Sequence, residues 1–217
     1  NAYIVSMQNT DDVKRLIMEY GGVASSMNMI FSSNYYNSIT GAYCQKITSN
    51  QNHAITVIGW DDTYAVSNYS TLGSKHIPTN PGAWLVKNSY GSYMEYMWIS
   101  YEDLCLSTSD AFAYIYESAD NYDYNYQYDG MYGNCYANLY NGGYLANVYT
   151  VQGSSAQTID AVSIALADDN IQYSVQIYLN PEEGNPASGT PLLSVPQTGS
   201  TSYWGYYTIE LDERPIV

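Results

Sequence analysis

The stretch Asn-His-Ala-Ile-Thr-Val-Ile-Gly-Trp at residues 52–60 decides the interpretation of this 217-residue chain, together with Gly-Ala-Trp-Leu-Val-Lys-Asn-Ser-Tyr-Gly at residues 82–91. Both stretches are apolar and rich in β-branched or aromatic residues, which predicts two strands. Each places one side chain suited to catalysis at the edge of its strand, His53 in the first and Asn88 in the second. A buried strand requires neither side chain there, so the two stretches indicate an enzyme.

The chemistry of a histidine–asparagine pair is specific enough to narrow the reaction class. A histidine transfers protons near neutral pH when another group fixes its tautomer and orientation. An asparagine carbonyl does this by accepting the ring N–H, and it adds no charge. Such a neutral partner suits a thiolate–imidazolium pair, which is already an ion pair. We therefore expect two adjacent strands to hold His53 and Asn88 side by side.

The flanking sequence predicts one short helix followed by many strands. Residues 9–22 form the helix, with Asn9 or Thr10 placed to cap its start and Gly21-Gly22 placed to end it. Its apolar stripe repeats at helical spacing and consists of Val13, Leu16, Ile17 and Tyr20. Further strands are predicted over residues 23–30, 96–101 and 111–116. The polar segment 61–81 is predicted to be an exposed excursion between two strands.

A change of composition near Glu117 predicts two domains, residues 1–117 and residues 118–217. The second domain begins with a strict alternation that would place four rings on one face of a strand: Tyr122, Tyr124, Tyr126 and Tyr128. More strands are predicted over residues 145–151, 158–167, 171–179 and 206–211. Since no helix pattern intervenes, an antiparallel β-sandwich is favoured. The predicted fold class is therefore mainly β (α+β), with one short helix.

Composition excludes several function classes. Six Lys plus Arg against 21 Asp plus Glu give a net charge of −15, which repels nucleic acid and anionic lipid. Charged residues make up only 12% of the chain, whereas 27 residues are tyrosine, a balance that suits a secreted or cell-surface protein. Three scattered cysteines and two histidines make a structural zinc site improbable, so neither a metal nor a cofactor is predicted. We expect the thiols of Cys44, Cys105 and Cys135 to be unpaired and mostly buried.

The two quoted stretches, in this order after the helix and Gly-Gly-Val-Ala-Ser-Ser-Met, resemble the C-terminal half of papain-like cysteine peptidases over roughly residues 10–117. The resemblance implies the barrel half of that fold, with His53 as general base and Asn88 as the residue that orients it. It also implies that Trp84 packs beneath the strand and that Tyr90 stands where the family more often has a shielding tryptophan. The family's main specificity pocket would be lined by Val23, Asn52 and Ala54, which suggests a pocket for apolar side chains.

The sequence departs from that family at the nucleophile. Nothing matches the family's Gln-x-x-x-x-x-Cys-Trp pattern, and Cys44 lies too close to His53, without a helix start to lower its pKa. The resemblance therefore implies the acid–base half of a site whose cysteine lies upstream and outside this chain. We expect the chain to be incomplete, inactive alone and in need of the missing N-terminal half of the peptidase domain. The apolar face that this half would cover favours self-association of the fragment.

The tyrosine alternation has two interpretations. Its rings fill a sandwich core or interface, or they form a platform on which sugars stack while Asp and Asn bind the hydroxyls. Some secreted bacterial peptidases of this type are similar in carrying a lectin-like sandwich directly after the peptidase strands. Residues 123–134 do not fit an EF-hand loop, although an irregular calcium site stays open. Two hypotheses follow: a secreted cysteine peptidase with an appended binding domain, or a non-catalytic adhesion or carbohydrate-binding protein with a vestigial peptidase scaffold.

Overall fold

The computed structural model describes residues 1–69, 76–128 and 143–217. Cys135 and part of the residues weighed above for calcium lie outside these ranges. The chain divides into two compact units, one formed by Ala2–Ile115 and the other by Tyr116–Val217 together with Asn1. Among the described residues, no helix has the length and apolar character needed to cross a membrane.

The N-terminal unit is a mostly antiparallel sheet. Its described strands are β1 (Ala2–Ser6), β2 (Val23–Met27), β3 (Tyr36–Asn37), β4 (Ala42–Tyr43), β5 (His53–Asp61), β6 (Ala83–Lys87), β7 (Tyr96–Ser100) and β8 (Asp110–Tyr114). They lie in the order β3-β4-β7-β6-β5-β2-β8-β1, and the pair β4–β7 alone among them is parallel. The helices are α1 (Thr10–Tyr20), a 3-10 helix (Val66–Tyr69) and the single turn α2 (Leu104–Ser107). The predicted class, mainly β with one short helix, is confirmed, whereas β1, β3, β4 and α2 were not predicted.

Helix α1 packs one apolar stripe against the sheet. Val13, Leu16 and Ile17 are buried against strands that include β5 and β8. The helix ends at Gly21, whose φ of 94° lies in the left-handed region and whose N–H donates to the carbonyl oxygen of Ile17. The predicted cap at Asn9 is not made, since the Asn9 side chain donates to the Asp12 carboxylate instead of accepting a backbone N–H.

The pairing of β5 with β6 forms the centre of this sheet. Val57 lies opposite Val86 and Trp60 opposite Trp84, with one extra β5 residue bulging between Val57 and Gly59. Val57, Trp84 and Val86 are all buried. Since the strands are antiparallel, the first residue of β5 lies beside the residues that follow β6.

A buried carboxylate joins α2 to the loop after β4. Asp103 accepts the N–H groups of Cys105 and Leu106 at the start of α2, and the N–H of Gln45 at 2.7 Å. Burial raises the pKa of the Asp103 carboxyl to about 6, although the three N–H groups act in the opposite direction. The arrangement satisfies backbone donors that the short helix leaves open.

The C-terminal unit consists of antiparallel strand pairs. Its described strands are β9 (Ala161–Leu166), β10 (Gln172–Val175), β11 (Tyr178–Leu179), β12 (Thr190–Pro191), β13 (Gln197–Ser200) and β14 (Trp204–Glu210). The pairs are β9 with β14, β10 with β13, and β11 with β12. The strand predicted over 171–179 is interrupted at Gln176, because its amide oxygen accepts the N–H groups of both Ile177 and Leu193.

Two other strand predictions for this unit are wrong. Residues 145–151 and 122–128 form no strand. In both segments, side-chain contacts replace ladder bonds: the Tyr126 hydroxyl accepts the N–H of Gln152, and the Tyr128 hydroxyl donates to the carbonyl of Val148. Strict alternation of tyrosine with polar residues therefore does not select a strand here.

Glu102, shortly after β7, binds the backbone near the end of the segment 61–81. Its carboxylate accepts hydrogen bonds from the Lys46 ammonium and from the N–H groups of Thr79 (2.9 Å) and Asn80 (2.8 Å). Partial burial by itself would raise the pKa of Glu102, yet these donors bring it down to about 2.

We expect the stability of the protein to fall as the pH drops from about 4.5 towards 2, because protonation of Glu102 removes this anchor. A lowered carboxyl pKa stabilises the fold above the unfolded-state value and loses that effect in acid. Glu102→Gln should therefore lower the melting temperature near neutral pH and flatten its decline in acid. Thermal unfolding followed by circular dichroism measures both effects. Glu183→Gln, in an exposed turn, is the control, and an equally steep decline in both variants would contradict the assignment.

Candidate active site

His53 and Asn88 lie side by side at one edge of the β5–β6 pair. His53 opens β5 and is half-buried, whereas Asn88 directly follows β6 and is 5% exposed. The distance from His53 Nε2 to Asn88 Oδ1 is 2.7 Å. The structure thus brings together the two residues that the sequence singled out.

The surroundings of Asn88 fix the tautomer of the imidazole. Asn88 Oδ1 also accepts the backbone N–H of Ser89 at 2.8 Å, and the amide nitrogen of Asn88 points to Met97 Sδ at 3.7 Å. The atom facing His53 is therefore the amide oxygen, which can only accept. His53 Nε2 must donate, and the lone pair of the neutral ring is left on Nδ1.

The hairpin between β6 and β7 holds Asn88 in place. Its backbone N–H donates to the carbonyl of Glu95 at 2.8 Å, and the Ser89 hydroxyl donates to the carbonyl of Ala54 at 3.2 Å. Met97, the weak acceptor for the Asn88 amide, is 1% exposed in β7. Ser89 and Met97 were not predicted, because the residue pattern of a strand does not show which groups will donate or accept hydrogen bonds near its end.

One aromatic ring covers the imidazole, and a second ring contacts the first. The ring of Tyr90 stacks on that of His53, with centroids 4.6 Å apart and planes inclined by 20°. Phe31 follows at 5.5 Å from Tyr90, and sequence reasoning did not identify it. Trp84 lies elsewhere, in the core of the sheet, with its ring edge-on to Tyr101 at 4.8 Å.

The residues predicted to line a specificity pocket do not come together. Strand β2 alternates, so that Val23, Ser25 and Met27 face inward while Ser26 does not. Val23 is fully buried opposite Val57, whereas Ser26 is the residue opposite Ala54. Val23 is therefore wrong as a lining residue, because it lies on the inner face of its strand.

The surface beside Ala54 is also more polar than expected. Ala54 is exposed, and the Ser26 hydroxyl lies 3.2 Å from that of Ser109. Asn52 is exposed as well, but its amide binds the backbone of Met29, whose N–H it accepts at 2.8 Å. The residue opposite Ala54 therefore carries a hydroxyl group, and the apolar character of the pocket stays a prediction.

No described cysteine is available as a nucleophile. Cys44 is fully buried, and burial, reinforced by the Asp103 charge, raises its pKa to about 12. Cys105 is 1% exposed, and its thiol points at the carbonyls of Ile47 and Ser49. The prediction of buried, unpaired thiols is confirmed for these two.

The tyrosines of the C-terminal unit stack on one another. Tyr124 lies 6.2 Å from Tyr126 between ring centroids, and Tyr128 lies 4.8 Å from Tyr149. Tyr126 also contacts Tyr149, so the four rings form one row instead of one face of a strand. Tyr122 is apart from this row, in a cleft of about 510 Å³ whose lining includes Asp160, Glu210 and Arg214.

Comparisons with known proteins find similarity in both parts of the chain. Residues 1–105 match the family model "Papain family cysteine protease", and residues 124–217 match "Lectin like domain". Among solved structures, the cysteine protease and lectin-like domains of Cwp84, a surface layer associated protein of Clostridium difficile, share 27% identity with a TM-score of 0.67. That match covers 97% of this chain and 46% of the other.

A second structure, clostridial Cwp84 after propeptide cleavage, shares 26% identity with a TM-score of 0.65, covering 97% of this chain and 50% of the other. The chain thus spans about half the length of the solved structures that it matches. No curated protein matches significantly. The resemblance drawn from the sequence is confirmed for both parts.

We expect nitrogen NMR to show His53 as the Nε2–H tautomer at about pH 8, and Asn88→Ala to admit a population of the Nδ1–H tautomer, because the acceptor that holds the Nε2 proton is removed. The chain has only one other histidine, which simplifies assignment. His76 is an internal control, since its Nδ1 accepts the Lys46 N–H at 3.0 Å and should keep Nε2–H in both proteins. Protonation of His53 at Nδ1 in the parent would contradict the assigned geometry.

Proposed function

We propose that this chain, which joins a papain-family cysteine protease segment to a lectin-like domain, supplies the acid–base half of a peptide-bond hydrolase. The observation that carries the proposal is the 2.7 Å bond from His53 Nε2 to Asn88 Oδ1, which directs the lone pair of Nδ1 away from the asparagine. In the proposal, His53 is the general base, Asn88 orients it, and the nucleophilic thiol comes from outside residues 1–217. The substrate is a protein or peptide.

The proposed reaction uses each nitrogen of His53 for one task. Nδ1 takes the proton of the thiol, which gives a thiolate and an imidazolium held by the Asn88 carbonyl. The thiolate attacks the scissile carbonyl carbon, and the imidazolium gives its proton to the departing amine as the C–N bond breaks. A thioester remains. Water then attacks it while Nδ1 takes a proton, and the released thiolate and imidazolium restore the starting pair.

Docking of a thiol-bearing segment is part of this proposal. The described thiols are buried, so the activity requires the N-terminal half of a peptidase domain as partner. In its absence, we propose that residues 1–217 are inactive and self-associate through the apolar surface that this half would cover.

We further propose that the C-terminal unit binds carbohydrate and that the protein acts outside the cell or at its surface. Support comes from the lectin-like match, from the printed description of Cwp84 as a surface layer associated protein, and from the acidic composition. The cleft around Tyr122 places a ring beside carboxylates and a guanidinium. The ring can stack on a sugar, and the charged groups can bind its hydroxyls.

A non-catalytic adhesion protein is the second candidate function. The burial of both described cysteines is compatible with it, since His53 and Asn88 do nothing without a thiolate. A nucleophile position occupied by serine or alanine in the full-length protein would select this candidate.

Labelling of the full-length protein with an epoxysuccinyl thiol trap tests the peptidase proposal. We expect an adduct on a cysteine outside residues 1–217, formed about 10²- to 10⁴-fold more slowly in His53→Ala because the base that generates the thiolate is gone. Mass spectrometry of the digested protein locates the adduct.

His76→Ala is the matched control. It removes the other histidine, which is not part of the His53–Asn88 pair, and should leave labelling intact. An adduct on Cys44, or labelling that ignores His53, would overturn the proposal.

Carbohydrate binding is tested with the full-length protein on an array of bacterial surface polysaccharides. We expect Tyr122→Ala to reduce binding about 5- to 10-fold through loss of the stacking ring, since an aromatic contact contributes about 1 kcal/mol. Tyr116→Ala, which removes a ring that is 88% exposed, is the control. Binding that is equal in both variants would exclude the Tyr122 cleft as the site.

A further inference from the structure

We propose that Phe31 is a positioning residue for His53, which acts by holding Tyr90 against the imidazole. Together, Phe31 and Tyr90 would form a two-ring cover over the His53–Asn88 hydrogen bond. The catalytic consequence rests on the proposed function, whereas the structural consequence is measurable without it.

The rings of Phe31, Tyr90 and His53 form a continuous row. The centroid distances are 5.5 Å from Phe31 to Tyr90 and 4.6 Å from Tyr90 to His53. Both distances lie in the range in which aromatic pairs attract beyond the burial of their area. Tyr90 is 41% exposed, so the core of the sheet does not hold its ring, and among the described residues its ring–ring contacts are with Phe31 and His53.

The backbone before Phe31 is fixed by buried side chains. The Tyr43 hydroxyl accepts the N–H of Ile30 at 3.2 Å and lies 2.9 Å from the carbonyl of Asn28, to which it donates. Tyr43 is fully buried, and Asn28 is 5% exposed. An exposed loop would otherwise be mobile, but these bonds fix the point from which Phe31 projects.

The same backbone segment is tied to the residue before His53. Asn52 accepts the N–H of Met29 through its side-chain oxygen at 2.8 Å, and its own N–H donates to the carbonyl of Met27 at 3.0 Å. The segment that carries Phe31 and the start of β5 are therefore one framework. Displacement of either would change the distance between Phe31 and Tyr90.

Phe31 itself is 56% exposed, so hydrophobic burial does not explain its position. A ring that stays in contact with Tyr90 limits the motion of the tyrosine and the access of water to Asn88 Oδ1. A hydrogen bond screened from water is electrostatically stronger, and an aromatic face also stabilises an adjacent imidazolium. Loss of Phe31 should therefore weaken the hold on His53 while leaving the groups that bind substrate in place.

The first test uses the full-length protein with its thiol and a fluorogenic peptide. We expect Phe31→Ala to lower kcat about 2- to 10-fold with KM unchanged, the range that corresponds to one aromatic contact. Phe31→Tyr keeps a ring of the same size and should restore kcat. Ile39→Ala, which removes a side chain that is 93% exposed, is the control for truncation of a surface residue. A rise in KM with kcat unchanged would show that Phe31 contacts substrate instead, and would overturn the proposal.

The second test separates this proposal from the proposed function. In residues 1–217, NMR follows the exchange of the His53 Nε2 proton with water, which requires no thiol and no activity. We expect this exchange to be about 2- to 10-fold faster in Phe31→Ala and unchanged in Phe31→Tyr and Ile39→Ala. An unchanged rate in Phe31→Ala would overturn the role of Phe31. If the full-length protein hydrolyses no peptide but the exchange rate responds, the proposed function fails and the positioning role stands.

Discussion

The antiparallel pairing of β5 with β6 is the constraint on which the rest of the site depends. It places the first residue of one strand beside the residue after the other, so that two side chains far apart in sequence meet at 2.7 Å. The buried register of Val57 against Val86 makes a slip costly, because a shift by one residue would turn the inner face of β5 towards solvent. The same packing that stabilises the sheet therefore sets the geometry of the histidine.

Hydrogen bonds to polar side chains hold the loops around this strand pair. Asp103 fixes the chain at Gln45, Tyr43 fixes the backbone at Ile30, and Asn52 fixes it at Met29. Only 12% of the residues are charged. These hydrogen bonds position the loops, and exposed ion pairs would hold them only weakly. Asp103 and Tyr43 act from within the core, where competition from water is small.

The sequence predicted those features that depend on strand pattern and local chemistry. His53 and Asn88 are recognisable because each is a polar exception at the end of an apolar run, and α1 is recognisable from its stripe. Val23 was misassigned because the alternation along β2, which makes Ser26 the outward residue, is set by the register of the whole sheet.

Phe31 was missed for a related reason: its position depends on Tyr43 and Asn52, which are distant in sequence. The tyrosine alternation misled because Tyr126 and Tyr128 contact the ring of Tyr149, which is distant in sequence, and residues 122–128 form no strand.

Asn88 Oδ1 accepts two hydrogen bonds, and this determines which nitrogen of the imidazole can react with other reagents. Because Nε2 is committed to the amide oxygen, an alkylating agent or a soft metal ion finds its electron pair on Nδ1 alone. That nitrogen is the one that proton transfer would use. Such agents would compete directly with turnover, and modification of this ring at Nε2 would report that the hydrogen bond to Asn88 had first broken.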